Sequence, residues 1–269
     1  MTEPLPVPAS PPEPASLART IAALLAMELR LTARRYENLL VMFGLPPILL
    51  VFLAAVPIRG GAGGSTEGAL VTLLGPVVAI AMAASGFVNL GIATAYERGY
   101  GVLKRLGGSP APVGAVILAK VAAVGVVALG QLALLGVVAV GVGWRPEPTA
   151  SLPVLGAGLL LGLLAFAGLG LLFGGTLRAE AALAVVNGTF LVFLLLGGIL
   201  VPVENLPGVL RDLAELMPVT ALARIIAAGL GATDGAGAAA VGRAGGDLAA
   251  LAVWAAITAV AARRTFRWE

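Results

Sequence analysis

Residues 112–142 read PVGAVILAKVAAVGVVALGQLALLGVVAVGV, a long apolar stretch with one charged side chain, that of Lys120. A helix needs roughly 20 apolar residues to cross the hydrocarbon core of a bilayer, and this stretch is longer than that. Five other stretches are similarly apolar, so six spans are predicted, at 39–57, 69–95, 112–142, 152–176, 181–201 and 247–262. The sequence therefore predicts an all-α fold, a polytopic membrane protein with six transmembrane helices.

The composition of the whole chain excludes an ordinary soluble fold. Of its 269 residues, 59% are hydrophobic and only 12% are charged, too few to cover the surface of a globular protein. The chain has no Cys and no His, which removes thiolate and imidazole metal ligands and the commonest general base, so we do not expect an enzyme. The formal charge of +3 comes without a basic patch interleaved with aromatic residues, so nucleic acid is not an expected partner.

The N-terminal segment differs in pattern from the six spans. Residues 1–15 are rich in Pro and carry no Lys or Arg, which predicts a disordered cytoplasmic tail and no secretory signal. Residues 16–38 collect apolar side chains roughly on one face and intersperse Arg and Glu among the rest, which predicts an amphipathic helix on the membrane surface. The alternative is an extension of the first span. Residues 39–269 then form the six-helix transmembrane domain.

The distribution of basic residues predicts the orientation of the spans in the bilayer. If the N-terminus lies inside, 12 of the 17 basic residues fall inside and the other five outside. Because cytoplasmic flanks carry the excess of Lys and Arg, both termini are predicted to be cytoplasmic, in a multi-pass protein of the inner (plasma) membrane. The five outer residues are Arg59, Arg145, Arg211, Arg224 and Arg243.

The inner loop between the second and third spans, ERGYGVLKRLGGSPAP at 97–112, contains a candidate docking helix. An apolar ridge of Val102, Leu103 and Leu106 is flanked by the charges of Lys104 and Arg105. Such a short helix can seat in the groove of a partner, bracketed by turns at Gly101 and Pro110, with Glu97 pairing with the partner or capping the helix. The alternative is a loop whose two basic residues only obey the positive-inside rule.

The outer stretch between the fifth and sixth spans predicts two short helices. Residues 208–217 are too charged and too short to span, and 219–230 are apolar but only about half the length of a crossing. Two helices that dip into the outer leaflet, as re-entrant elements capping the bundle, fit this pattern. The proline and leucine residues that mark it are Pro202, Leu206, Pro207, Leu210, Leu213 and Pro218.

Four weakly polar residues lie within the predicted spans and are candidates for lining a transport pathway. Such side chains also serve as hydrogen-bonding contacts between helices, and that alternative stays open. They are Asn89, Gln131, Asn187 and Thr189.

The two loops together resemble those of the membrane subunits of ABC-2 type exporters, which include drug-efflux permeases and polysaccharide exporters. The inner loop matches the E-x-x-x-G-x-L-x-x-L-x-x-x-P signature of that family at Glu97, Gly101, Leu103, Leu106 and Pro110. The outer stretch is similar to its P-x-x-x-L-P pattern, with the later proline before the last span.

The resemblance implies an assembly and a division of labour. Two such permease subunits, as a homodimer or a heterodimer, form a channel faced by spans two and five, and two ABC ATPase subunits dock beneath the coupling helix of the inner loop. This chain has no G-x-x-x-x-G-K-[ST] phosphate-binding motif, so it should hold no cofactor, with ATP and Mg bound by the ATPase.

The function that these observations favour is ATP-driven export of a hydrophobic or amphipathic substrate, such as a drug, a lipid or a secondary metabolite. The low aromatic content, 5%, argues against the aromatic rails expected of a polysaccharide channel. The alternative is a gradient-driven carrier or channel. Against it, no Asp or Glu falls in the middle of a predicted span, and only Lys120, near an inner end, comes close.

Overall fold

The computed structural model describes residues 16–55, 66–108, 112–145, 150–231 and 236–265, and within these ranges the regular structure is helical. A π-helical segment, Ala84–Asn89, joins α3 to α4, and a 3-10 turn, Val203–Asn205, precedes α9. The predicted tail 1–15 and Pro110 of the loop signature lie outside the described residues. The helices are α1 (Leu17–Arg34), α2 (Tyr36–Ala55), α3 (Thr66–Ala83), α4 (Leu90–Gly99), α5 (Val102–Gly107), α6 (Val113–Val142), α7 (Leu152–Thr176), α8 (Ala179–Leu196), α9 (Gly208–Leu216), α10 (Pro218–Gly229) and α11 (Ala236–Thr265).

Six helices in the described part of the chain are long and apolar enough to cross a membrane, which confirms the all-α polytopic fold. The fifth ends earlier than predicted, because the chain turns at two glycines and the second, Gly198, has a φ of +80°. The helix of the sixth starts earlier than predicted, at Ala236. The six are Tyr36–Ala55, Thr72–Gly99, Val113–Val142, Leu152–Thr176, Ala179–Leu196 and Arg243–Thr265.

A separate helix, α1, precedes the first span. The hydroxyl of Ser16 caps its N-terminus by accepting a hydrogen bond from the backbone N–H of Arg19 at 3.4 Å. The helix ends at Arg34, and Arg35 has non-helical geometry before α2 begins, so the chain does not run on as one extended span. α1 packs against α6 without burying any residue completely. Its position on the membrane surface stays a prediction.

The second span, Thr72–Gly99, forms the centre of the bundle, and most of its residues are buried by other helices. Glycines let the fourth span approach it closely. A methyl group at Gly170 would clash with the carbonyl oxygen of Gly86, and one at Gly174 with the carbonyl oxygen of Gly91. The G-x-x-x-G spacing in the fourth span therefore permits close helix packing.

Two short helices precede the last span, as the outer stretch predicts. α9 is largely exposed, whereas α10 is buried against α3, α7 and α11. Gly158 and Gly162 of α7 make room for α10, since a methyl group at either position would clash with Ile225 or Leu222. α10 therefore packs as part of the bundle, and its depth in the outer leaflet stays a prediction.

Candidate functional site

The inner loop folds into the short helix α5, and glycine is required at the residue before it. Gly101 has a φ of +70°, in the left-handed region where a side chain strains the backbone. No heavy atom lies within 4 Å of the position that a Cβ would take there. The backbone turn, and not packing, therefore explains glycine at this position of the signature.

The apolar residues of α5 do not form the single ridge that the sequence predicts. Leu103 is completely buried within the chain and Leu106 is half-buried, whereas Val102 is 40% exposed. The reason is helical geometry, because adjacent residues of a helix point in different directions. Leu103 thus anchors α5 to the bundle. The surface of α5 that stays accessible, called the α5 surface here, consists of Val102, Lys104 and Arg105.

A buried ion cluster lies next to this loop. The Nζ atom of Lys120 lies 2.6 Å from Oε1 of Glu28 and 2.6 Å from Oε2 of Glu97. The side chain of Lys120 is only 2% exposed, and each carboxylate is 14% exposed. Burial removes the hydration of the ammonium, and the two carboxylates compensate for that loss. The cluster ties α1, the end of the second span and the third span together.

The ion cluster changes the role expected of Glu97. The sequence predicts that its carboxylate pairs with a partner protein or caps α5, but the structure pairs it with Lys120 of the same chain. The sequence marks Lys120 only as a charge near the inner end of a predicted span, and nothing in it singles out Glu28. A lone ammonium in an apolar span is itself a signal that carboxylates must lie close by.

Arg98, the neighbour of Glu97, joins the same end of α4 to the end of the fourth span. Its Nη1 donates a hydrogen bond to the carbonyl oxygen of Gly175 at 2.6 Å, and its Nη2 donates to that of Leu177. These carbonyls lie at the C-terminus of α7, where the helix leaves acceptors unpaired and a cation is favourable. In the sequence, Arg98 is only one of the 12 basic residues predicted to lie inside.

Together these contacts fix the segment that leads into α5. Glu97 attaches the last turn of α4 to the first helix and the third span, and Arg98 attaches it to the end of the fourth span. Gly101 begins α5 a few residues later, and Leu103 is buried. The α5 surface is therefore presented by a helix that is held on several sides, and not by a free loop.

A small polar cavity adjoins the ion cluster between α1, α2 and the second and third spans. Its volume is about 40 Å³, enough for at least one water molecule. Besides the three charged residues of the cluster, its polar lining includes Asn38, Ser85 and Asn89.

Gln131, one of the four candidates for lining a pathway, forms buried hydrogen bonds between helices. Its Nε2 donates to the carbonyl oxygen of Met42 at 2.7 Å, and its Oε1 accepts from the hydroxyl of Ser85 at 2.7 Å. The residue is 3% exposed. Its amide is thus satisfied and enclosed within one chain, as expected of a polar contact between helices.

The other three candidates are more accessible. Asn89 is half-buried beside the polar cavity and accepts a hydrogen bond from Asn38 at 3.4 Å. Asn187 is exposed on α8, where its Nδ2 donates to the carbonyl oxygen of Leu183 at 2.8 Å, and Thr189 of the same helix is half-buried. The hydrogen bond of Asn187 is thus to its own helix, whereas Asn89 bonds to another helix.

The prolines of the outer motif each precede or begin a helix. Pro202 lies before the 3-10 turn, Pro207 before α9, and Pro218 is the first residue of α10. Proline suits the first turn of a helix, where its missing N–H would be unpaired in any case. The leucines of the motif lie at half-buried or exposed positions: Leu206, Leu210 and Leu213.

An ion pair that sequence reasoning missed joins α10 to the last span. Nη2 of Arg224 lies 2.6 Å from Oδ1 of Asp247, and its Nε lies 3.1 Å from Oδ2. The Asp247 side chain is 7% exposed and that of Arg224 is 21% exposed. A bidentate pair of this kind fixes both distance and orientation. It also explains how α11 can contain a buried carboxylate.

The sequence matches the ABC-2 type transporter family over residues 19–230, a range that contains the ion cluster, α5 and α10. A search of curated proteins finds no match to the chain. Members of the family are membrane transport components that are not themselves catalytic, and they generally work with an ABC ATPase. The chain therefore belongs to the ABC-2 type transporter family and is the permease subunit of an ABC transporter.

Proposed function

We propose that this permease subunit exports a small hydrophobic or amphipathic substrate and that ATP hydrolysis in a separate subunit drives the export. The sequence supports this division of labour, because it contains no G-x-x-x-x-G-K-[ST] motif to cradle the phosphates of a nucleotide. ATP and Mg then bind to the ATPase, and this chain supplies the pathway and the docking surface.

The observation that carries the proposal is that α5 is firmly attached to the bundle while one of its surfaces stays accessible. Its accessible residues, Val102, Lys104 and Arg105, combine an apolar side chain with two cations, a pattern suited to a groove with acidic residues. Leu103 anchors the helix from behind. Contacts of Glu97 and Arg98 tie the preceding turn to the bundle.

This attachment supports a mechanical role for the ion cluster. When the ATPase moves the α5 surface, the movement passes through Glu97 to Lys120 of the third span. It also passes through Arg98 to the end of the fourth span. Glu28 adds α1 to the same unit. A movement at the inner side is thereby passed to several helices at once, as alternating access requires.

The assembly that we propose contains two copies of the ATPase and a second permease subunit, identical or related. α8 supports this arrangement, because only 17% of its spanning window is buried within the single chain. Its exposed face includes Asn187, a polar side chain that is costly against lipid and better placed against a second subunit or a wet pathway.

The proposed orientation places both termini in the cytoplasm and the chain in the inner membrane. The positive-inside rule supports it, and α5 then lies on the side where ATP is available. In the same orientation α9 and α10 lie at the outer end of the bundle.

The experiment that tests the proposed function starts from the tagged full chain in mild detergent. We expect a protein with the G-x-x-x-x-G-K-[ST] motif to co-purify, and its ATP hydrolysis to rise when a transported compound is added. Transport that continues without ATP but collapses with the ion gradient would favour the gradient-driven carrier instead.

A further inference from the structure

An open groove runs along one side of the bundle between the third, fourth and sixth spans. Its volume is about 890 Å³, within the roughly 300–1,000 Å³ typical of ligand pockets. The walls are apolar, and small residues from all three spans line the groove. They include Gly114 of α6, Gly168 of α7, and Ala256 and Ala259 of α11.

The depth of the groove corresponds to one leaflet of a bilayer. It extends from Val113 to Val121 on α6 and from Ala255 to Arg263 on α11. At 1.5 Å per residue each of these segments rises about 12 Å, close to half of a hydrocarbon core that is about 30 Å thick. Val113 begins α6 and Arg263 lies in the last turn of α11, so the groove opens at the predicted cytoplasmic side.

A positive charge marks the inner mouth of the groove. Arg263 is exposed there, and no acidic side chain contributes to the lining. Within the described part of the chain, Arg263 forms no ion pair with a carboxylate. An apolar channel whose guanidinium, at the level of the headgroups, pairs with no carboxylate among the described residues matches a molecule with an acyl chain and a phosphate.

We propose that this groove binds an anionic phospholipid of the cytoplasmic leaflet, with an acyl chain between α6, α7 and α11 and its phosphate on Arg263. A second copy of the chain fits less well. A two-fold axis along the membrane normal would bring two Arg263 side chains to the same level with no acidic partner in the groove. The proposed site lies apart from α5 and makes no use of the ATPase.

The test uses the purified transporter in phosphatidylcholine vesicles with spin-labelled phosphatidylglycerol or spin-labelled phosphatidylcholine as the probe. We expect a motionally restricted population that prefers phosphatidylglycerol. Arg263→Gln should reduce this preference about fivefold, the effect of one basic residue at an anionic headgroup. Arg264→Gln, a matched change at the adjacent exposed arginine outside the groove, should reduce it less.

Variants that fill the groove distinguish lipid binding in the groove from a general attraction of anionic lipids to the basic surface. Outside its own helix backbone, no atom lies within 4 Å of a Cβ placed at Gly114 or at Gly141 of the same helix, so a side chain can start at both positions without a clash at Cβ. Gly114→Leu should remove the restricted population, and Gly141→Leu, outside the groove, should not. Ala256→Leu provides a second filling variant at an exposed position.

Three results would overturn the proposal. The first is equal motional restriction of phosphatidylglycerol and phosphatidylcholine by the wild type. The second is a preference for phosphatidylglycerol that stays unchanged in Arg263→Gln, in Gly114→Leu and in Ala256→Leu. The third is efficient disulfide formation between copies that carry Ala259→Cys, which would show that a second subunit occupies the groove.

Discussion

Lys120 Nζ and Glu97 Oε2 lie 2.6 Å apart, which joins the third span to the turn of the chain that leads into α5. Glu28 of α1 completes the cluster at the same distance from the ammonium. The inner loop of this permease is thus attached to the bundle through buried charges, and the consequences of breaking the contacts differ from residue to residue.

Replacing Lys120 should cost more than replacing either carboxylate. In Lys120→Met, Glu28 and Glu97 are left as buried charges without a partner, and removal of one member of a buried pair typically costs about 3–5 kcal/mol. Glu97→Gln should cost less, because Glu28 still neutralises the ammonium. Thermal unfolding in detergent measures both. The triple variant Glu28→Gln, Glu97→Gln, Lys120→Met should recover stability relative to Lys120→Met, and equal stability of the two would contradict the account.

Gln131 and Asn187 should respond in opposite ways to replacement by Leu. Gln131→Leu leaves the Met42 carbonyl and the Ser85 hydroxyl without the amide, which should destabilise the fold by about 1–3 kcal/mol. Asn187→Leu removes only a contact within its own helix, so folded protein should persist while substrate range or transport rate changes. Fluorescence-detected size exclusion and transport assays on both variants check this. Loss of folded Asn187→Leu would instead assign that residue to packing.

The ion pair between Arg224 and Asp247 should be needed to hold α10 against the last span. Arg224→Gln leaves a carboxylate that is 7% exposed without its partner, with an expected cost of about 3–5 kcal/mol. The exchange Arg224→Asp with Asp247→Arg should restore part of this stability. Thermal unfolding of the three proteins tests the pair. No difference between Arg224→Gln and the wild type would show that α10 is held by apolar packing alone.

Labelling of single cysteines tests the orientation directly, since the natural chain has none. Cysteines at Gly63 and Ala236 should react with an impermeant reagent in intact cells, and one at Gly108 should react only after the membrane is opened. The opposite pattern would reverse the predicted topology.

The fold could be predicted from the sequence because hydrophobic length alone identifies spans. The stretch 112–142 is recognisable as a span without any tertiary information, and in the structure the helix runs over Val113–Val142. The start of the last span was less predictable. Its helix begins before Asp247, at Ala236, and Arg224, distant in sequence, neutralises that carboxylate.

The candidate site was predicted only in part, because contacts between residues distant in sequence also shape it. The signature located α5, and Gly101 has the positive φ that a turn with glycine implies. The burial of Leu103 and the pairing of Glu97 with Lys120 depend on how other helices surround the loop. A linear pattern contains the residue types but not the directions in which their side chains point.

The burial of Leu103 determines which variant tests coupling. A charge at Leu103 would disrupt the anchoring of α5, so its effect on docking would be mixed with an effect on folding. Val102→Asp with Arg105→Glu changes only accessible side chains of the α5 surface. Arg264→Glu, at another exposed arginine on the predicted cytoplasmic side, is the matched control for charge reversal.

The most direct test of the coupling role compares three proteins in equal amounts: the wild type, Val102→Asp/Arg105→Glu and Arg264→Glu. For each, the amount of ATPase that co-purifies and the substrate-stimulated ATP hydrolysis of that ATPase are measured. We expect the double variant to insert normally but to bind the ATPase about 30-fold more weakly, the equivalent of about 2 kcal/mol at an interface hot spot. Arg264→Glu should behave as the wild type. Unchanged association and unchanged stimulated hydrolysis in the double variant would contradict the role of α5 as the docking helix.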